Sequence, residues 1–268
     1  MKKILITGGN GFLGNFFKNK LKKIYKVQTL GLSKKNNFKI NLLDERQVNI
    51  FFKENNFDYI IHCAAKVPGK KIIKLEIKDH IQNNIMTKNI AKFSNSKIIF
   101  ISSYKIYDEQ AKIGYPYMMS NSKIINYSSS KIASENLIMN KKNDYLILRL
   151  PAIFGYGVKN GLLYKVIKNN YTLKSKINNN WCILDVKHTL KPLIKFIEKK
   201  LDKGIYNLSY NIEYSMSSIL NFIYTALHVE KKMTHNKKFY LYTDAKLVRP
   251  ANELNKDLNN YINYILKN

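Results

Sequence analysis

The chain has 268 residues, 45% of them hydrophobic, which is enough for one large domain, or a domain with a smaller lobe, around a sizeable core. No run of about 18 apolar residues is present, so the sequence predicts no membrane span. The formal charge of +28 is almost all lysine, with arginine only at Arg46, Arg149 and Arg249 and no block of five or six like charges; it reads as solvated surface rather than a nucleic-acid site, with a general pull on anionic substrates.

The opening Met1-Lys2-Lys3-Ile4-Leu5-Ile6 imitates a signal peptide, but Thr7-Gly8-Gly9 breaks the apolar run at once. Lys3–Thr7 instead predicts a buried strand. A helix is expected from about Phe12 to Tyr25, with Phe12, Leu13, Phe16, Phe17 and Leu21 on its inner side. Val27–Leu32 and Phe38–Leu42 read as strands, Glu45–Asn55 as a helix and Tyr59–Cys63 as the next strand. A helix over about His80–Phe93 leads to a strand at Lys97–Ser102. Ser122–Asn140 reads as a long helix and Tyr145–Leu150 as a sixth strand. This alternation predicts an α/β, Rossmann-type doubly wound parallel sheet, with ligands at the carboxyl ends of the strands.

After Gly155-Tyr156-Gly157 the alternation weakens. A helix at Lys187–Lys200 and a strand at Gly204–Leu208 are expected to return to the main domain. Ser215–Leu227 reads as a helix, Phe239–Tyr242 as a short strand and Leu254–Leu266 as a final helix. The expected organisation is a nucleotide-binding domain over residues 1–158, joined by the helix and strand near 181–208. Residues 159–180 and 209–268 are expected to form a small C-terminal substrate-binding lobe. Cys63 and Cys182 lack metal-ligand spacing and read as reduced thiols of a cytoplasmic protein; no metal site is expected.

Three motifs carry chemistry. Gly8, Gly11 and Gly14, between a strand and a helix, form a nucleotide-binding turn: glycines let the backbone approach a pyrophosphate, and the helix N-terminus supplies amide donors. The acid expected some 20 residues on, to bind the ribose hydroxyl of NAD, is missing, and none appears before Asp44. Ser33, Lys34 and Lys35 stand there instead and suit a 2′-phosphate, which favours NADPH over NADH. Tyr127 and Lys131, four apart on a helix, share a face, and an ammonium beside a phenol lowers its pKa. Tyr127 then serves as proton donor or acceptor, with Ser103 as a hydroxyl donor. His62 reads as a satisfied buried histidine, Tyr104 and Tyr107 as wall residues. Arg149 reads equally as a core ion-pair partner or as a substrate contact.

These residues resemble the extended short-chain dehydrogenase/reductases that act on nucleotide sugars, and the resemblance runs through most of the chain. Thr7-Gly8-Gly9-Asn10-Gly11-Phe12-Leu13-Gly14 is similar to their opening signature. Asn41-Leu42-Leu43-Asp44 resembles their adenine-holding segment, with Asn41 replacing an acid. His62-Cys63-Ala64-Ala65 resembles the segment beside the cofactor ribose. Asn83 and Asn89 flank a segment that resembles their Asn-Val-x-Gly-Thr-x-Asn helix, with Met86 replacing the glycine. Ser102-Ser103-Tyr104-Lys105-Ile106-Tyr107 resembles Ser-Ser-x-x-Val-Tyr, and Tyr127-Ser128-Ser129-Ser130-Lys131, with Glu135 beyond, resembles Tyr-x-x-Ser-Lys-x-x-x-Glu. Arg149-Leu150-Pro151-Ala152-Ile153-Phe154-Gly155 is similar to the segment that closes over nicotinamide. Ile183-Leu184-Asp185-Val186-Lys187-His188 matches Val-x-Asp-Val-x-Asp with His188 for the second Asp.

The resemblance implies a catalytic set of Ser103, Tyr127 and Lys131. It implies cofactor contacts at Gly8, Asn10, Gly11, Phe12, Leu13, Gly14, Ser33, Lys34, Asn41, Leu42, Ala64, Ala65, Asn83, Pro151 and Ile153, besides Tyr127 and Lys131. Substrate contacts are expected at Lys66, Ser103, Tyr104, Arg149 and Arg249. Dehydratases of the family place an Asp-Glu pair where this chain has Tyr104-Lys105, which speaks against dehydration. The leading expectation is NADPH-dependent reduction of a keto group, at C4, on a nucleotide-linked deoxysugar for surface-polysaccharide synthesis. Arg249-Pro250-Ala251-Asn252 supports it by resembling a late segment of deoxysugar reductases. The alternatives are an NAD-dependent 4-epimerase and a non-enzymatic cofactor-sensing regulator. A homodimer through the helices near 80–93 and 122–140 is expected, with a nucleotide sugar as the other partner.

Overall fold

A computed structural model of the protein describes residues 1–67, 75–107, 127–142, 144–169, 182–210, 216–229, 246–248 and 253–268. In chain order its elements are β1 (Lys3–Thr7), α1 (Phe12–Leu21), β2 (Lys26–Gly31), β3 (Phe38–Lys39), α2 (Glu45–Glu54), β4 (Tyr59–His62), α3 (Ile77–Phe93), β5 (Lys97–Ser103), α4 (Tyr127–Lys141) and β6 (Tyr145–Leu150). There follow β7 (Ala152–Phe154), α5 (Gly161–Asn169), β8 (Ile183–Asp185), α6 (Leu190–Ile197), β9 (Gly204–Leu208), α7 (Met216–Ala226), β10 (Lys246–Val248) and α8 (Leu254–Leu266).

The main sheet has the order β10-β9-β6-β5-β4-β1-β2-β3. β1 runs parallel to β2 and β4, β2 to β3, and β4 to β5. This is the expected Rossmann-type arrangement. The strands leave β1 on one side as β2 and β3 and resume on its other side at β4, so the β1/β4 junction is the topological switch point where such sheets bind ligands. Apolar runs make these central strands: Ile4, Leu5, Ile6, Ile60 and Ile61 are wholly buried, as strands covered on both faces must be. Helices close one face with Val48, Phe51, Ile90 and Ile138 against Leu5, Leu30, Ile60, Ile98 and Ile147.

The chain divides into two compact units. The first gathers Met1–Arg149 with Leu193–Tyr206, and the hydroxyl of Tyr59 donates to the Ile197 carbonyl (3.1 Å) within it. The second gathers Leu150–Pro192 with Leu247–Asn268 and the segment around α7. In it β7 and β8 pair in parallel, Ala152 opposite Ile183. Gly155 follows at φ +113, and a Cβ there would stand 2.6 Å from Asp185 Oδ1, so only glycine fits. Phe154 packs on Tyr210 and Tyr261, whose hydroxyl donates to Val158 O (2.9 Å).

Several boundaries differ from expectation. α1 stops at Leu21, and the amides of Ile24 and Tyr25 both turn back to the Leu21 carbonyl. Tyr25 is buried from that turn, not from the helix. β3 is two residues long, because Asn41 turns its side chain onto the Leu43 amide and Asp44 then caps α2. The helix expected over 187–200 begins as a tight turn at Val186–Thr189, started by Asp185 Oδ1 accepting from Lys187 N (2.9 Å). It becomes α-helical only at Leu190 and ends before Lys199, at φ +59. The expected strand at Phe239–Tyr242 and the start of the helix expected from Ser122 lie outside the described residues. Among those described, no helix is long and apolar enough to cross a membrane.

Candidate active site

The glycine turn leaves β1 with Gly8 at φ +67, where a Cβ would lie 2.8 Å from Ala64 Cα at the end of β4. A Cβ on Gly14 would come within 2.3 Å of the Gly8 carbonyl oxygen. Side chains at either place would fill the cradle, and Gly11 forms the N-cap of α1 with no side chain over the first amides. These residues therefore fit a pyrophosphate at the helix N-terminus. Asn10, Gly11 and Phe12 are exposed there, and Leu13 is half-buried.

Beyond β2, Ser33, Lys34 and Lys35 stand exposed in a turn in which Ser33 Oγ accepts from Lys35 N (3.3 Å). Asn37 Oδ1, accepting from Thr29 N and Oγ1, ties that turn to β2. Asp44, the first acid of the chain, is engaged as the cap of α2: its Oδ1 accepts from Gln47 N (3.0 Å). That bond comes first among the causes that hold its carboxyl below the usual range. Leu42 is buried, and its carbonyl accepts from Asn89 Nδ2 (2.9 Å), which explains the second asparagine of α3.

At the end of β4, His62 is buried between Thr7 Oγ1 (2.7 Å from Nδ1) and Thr87 Oγ1 (3.1 Å from Nε2). Thr7 Oγ1 also accepts from Ala64 N (3.2 Å), and Thr87 Oγ1 gives its own proton to the Asn83 carbonyl (3.1 Å), which leaves it an acceptor toward Nε2. The pattern assigns the ring proton to Nε2, toward Thr87. Burial, aided by the Lys131 charge, lowers His62 to about 3 and keeps it neutral. Ala64 and Ala65 are half-buried beside the turn. Asn83 clasps the Lys66 backbone in both directions, accepting from its amide (2.7 Å) and donating to its carbonyl (3.0 Å). The Lys66 ammonium pairs with Asp79 (2.9 Å).

The expected catalytic residues come together where α4 meets the end of β5. Tyr127, Lys131 and Glu135 recur every fourth residue and share one helix face. Each grips a different residue of a β5 tripeptide. Tyr127 shares a hydrogen bond with the Ser103 hydroxyl. Lys131 Nζ donates to the Ile101 carbonyl (2.9 Å). Glu135 Oε1 accepts from Ser102 Oγ (2.5 Å). Ser103 also accepts from Lys105 N (3.2 Å), which starts the tight turn Tyr104–Ile106; Tyr104 stands edge-on to Tyr107.

The electrostatics differ from the sequence-based expectation. Tyr127 sits above its ordinary pKa: burial raises it, the Ser103 bond opposes this, and Lys131 is not among the causes. The ammonium lies 5.9 Å from the Tyr127 ring centroid and 4.7 Å from that of Phe100, and it is spent on Ile101. Lys131 is itself lowered to about 8 by burial, against which Cys63 and Glu135 work.

Arg149, open between two readings, is engaged as a core ion-pair partner. Its Nη2 and Nε donate to the two Glu135 oxygens (2.7 and 3.1 Å) and its Nη1 to Tyr107 Oη (2.8 Å), with its side chain 4% exposed. Glu135, expected only as part of the motif, and Tyr107, expected as a wall residue, carry no catalytic or binding role in the sequence reading. The signal for Glu135 was its spacing, one helical turn beyond Lys131. Pro151, buried, and Ile153, in β7, belong to the second unit, and Arg249 lies outside the described residues. His188, which replaces the second acid of its motif, hydrogen-bonds Asp257 of α8 (2.7 Å). Asp257 is fully buried and also takes a bond from Tyr210 (2.7 Å) and pairs with Lys187. Glu253 completes a group of possible metal ligands with His188 and Asp257, but both carboxylates are already paired with the Lys187 ammonium.

The model of the family described as RmlD substrate binding domain matches residues 1–180. A dTDP-D-glucose 4,6-dehydratase of Dictyostelium discoideum is 28% identical over 169 residues, which cover 54% of this chain and 37% of that protein. The UDP-glucose 4-epimerase of Thermotoga maritima, solved with UDP-glucose, superposes with a TM-score of 0.71 at 17% identity over 99% of both chains. The dTDP-4-dehydrorhamnose reductase of Bacillus anthracis, solved with NADP, gives 0.69 at 20% identity, over 92% of this chain and 84% of that one. At these identities the two solved structures attest the fold alone.

Proposed function

Because the chain belongs to the RmlD substrate-binding domain family, a group of extended short-chain dehydrogenase/reductases, we propose that it is an NADPH-dependent reductase. Its substrate in this reading is a keto group, at C4, of a nucleotide-linked deoxysugar. The observation that carries this reading is the Ser103–Tyr127 hydrogen bond with Lys131 one turn on, at the same strand ends as the glycine cradle. A bound nicotinamide supplies the hydride. Ser103 donates to the substrate oxygen as it gains charge, and Tyr127 Oη gives it a proton. A tyrosine raised by burial is protonated at neutral pH, the form a reduction consumes. Lys131 holds the ribose hydroxyls.

Tyr104-Lys105, and no carboxylate, stand directly after Ser103, which disfavours dehydration, and an intact Ser103–Tyr127 pair has no use in a purely sensing protein. A 4-epimerase would use the same three groups and differ in returning its hydride. The deciding experiment mixes the protein with NADPH and a panel of nucleotide-linked 4-keto-6-deoxysugars. One NADPH should be consumed per product, with deuterium from 4-deuterated NADPH at C4. Interconversion of two epimers without net loss of NADPH would place the protein with the epimerases. In the same assay NADPH should bind more tightly than NADH, and Lys34→Ala with Lys35→Ala should erase most of the difference. Equal affinities in the unaltered protein would remove the NADPH preference.

The same reading includes a homodimer. Ile77, Ile81 and Ile85 form an exposed apolar stripe at four-residue intervals along α3. Sedimentation should give twice the chain mass, and Ile81→Lys should halve it; a monomeric unaltered protein would refute the stripe as an interface.

A further inference from the structure

Glu135 and Arg149 lie outside the reacting set, yet they form the most deeply buried ion pair among the described residues, with side chains 2% and 4% exposed. A buried charge pair is poor value as mere stability, because desolvating two ions offsets most of their attraction. Its placement suggests a different role. Glu135 is the third contact of α4 on Ile101-Ser102-Ser103, and both its oxygens are occupied: Ser102 and Arg149 Nε on one, Arg149 Nη2 on the other. Arg149 is fixed in turn by Tyr107, which lies under its guanidinium, 5.3 Å from ring centroid to Cζ. The carboxylate therefore has one position, a helical turn from Lys131.

We propose that the Glu135–Arg149 pair is a positioning device for the reaction centre: it fixes α4 on the end of β5 and supplies the buried negative charge that keeps the Lys131 ammonium protonated. This rests on the reductase reading above. Among the described residues the groups facing Lys131 are few. Cys63 and His62 face it from the end of β4, with Tyr127 and Glu135 on its own helix and the Phe100 ring and Ile101 carbonyl from β5. His62 is neutral, and burial pushes the Cys63 thiol up to about 12. Glu135 is therefore the one standing negative charge among these neighbours at neutral pH.

The sign follows directly. Lysine is charged below its pKa, so with Lys131 near 8 the grip on the cofactor ribose is complete at neutral pH and is lost as pH rises through about 8. Taking away the carboxylate moves that loss to lower pH. The test is NADPH affinity, read by nicotinamide fluorescence between pH 6 and 10. It is run on the unaltered protein, Glu135→Gln, the double variant Glu135→Gln with Arg149→Met, and Arg149→Lys. The unaltered protein should weaken above about pH 8. Glu135→Gln and the double variant should weaken earlier, by about tenfold in the mid-range for each unit moved. Arg149→Lys, which keeps a cation on Glu135, should restore the original profile. The double variant removes both members of the ion pair together and so guards against simple unfolding, which its melting temperature reports. A folded double variant with the unaltered pH profile would overturn the proposal. Absence of NADPH binding by the unaltered protein at any pH would instead overturn the reductase reading beneath it.

Discussion

Replacing Tyr127 with phenylalanine should lower turnover by about 10²–10⁴, the usual contribution of a positioned proton donor. The ring stays and only the hydroxyl leaves, so the melting temperature should move little. Among the described residues the bond lost is that to Ser103, and Ser103 keeps its bond from Lys105 N. Ser103→Ala should cost less, because it takes away one donor among several. Lys131→Met should weaken both turnover and cofactor binding, since a single ammonium serves both. Steady-state kinetics with NADPH and the substrate found by the panel would decide the matter; near-normal turnover in Tyr127→Phe would refute Tyr127 as the acid.

The second large effect is on stability. Arg149→Met leaves Glu135 and its Ser102 partner buried without a counter-ion. Stranding one member of a buried pair costs about 3–5 kcal/mol. For a chain of this size that lowers the melting temperature by on the order of 10 °C. Adding Glu135→Gln should recover much of the loss, because the remaining groups are neutral. A melting curve of Arg149→Met that coincides with that of the unaltered protein would show the pair to be electrostatically idle.

The first half of the fold was legible because its signals are local. Continuous apolar runs closed by a glycine turn give β1 and its neighbours, and the parallel sheet follows from their alternation with helices. What was misread turns on single side chains that compete with the backbone. Asn41 and Asp44 cut β3 to two residues, and Asp185 replaces the first turn of a helix with a tighter one. β7 and β8 are three residues each, too short for a period to show. At the candidate site, the shared helix face of Tyr127 and Lys131 was legible because their spacing is written in the chain. The engagement of Arg149 with Glu135 was not, since it joins residues 14 apart on a helix and a strand. Nor could spacing show that burial would outweigh the ammonium in setting the tyrosine.

The three contacts between α4 and β5 work like lacing. Tyr127, Lys131 and Glu135 each hold one of three consecutive strand residues, so the helix has a single setting along its own axis. Each residue of an α-helix turns it by about 100°. Insertion or loss of one residue between Tyr127 and Glu135 would swing part of this set out of line, whatever the residue. The six positions between them that carry no lacing contact are thus held more strictly in number than in kind. A change of length across that stretch would therefore undo the set even where every single substitution leaves it in line.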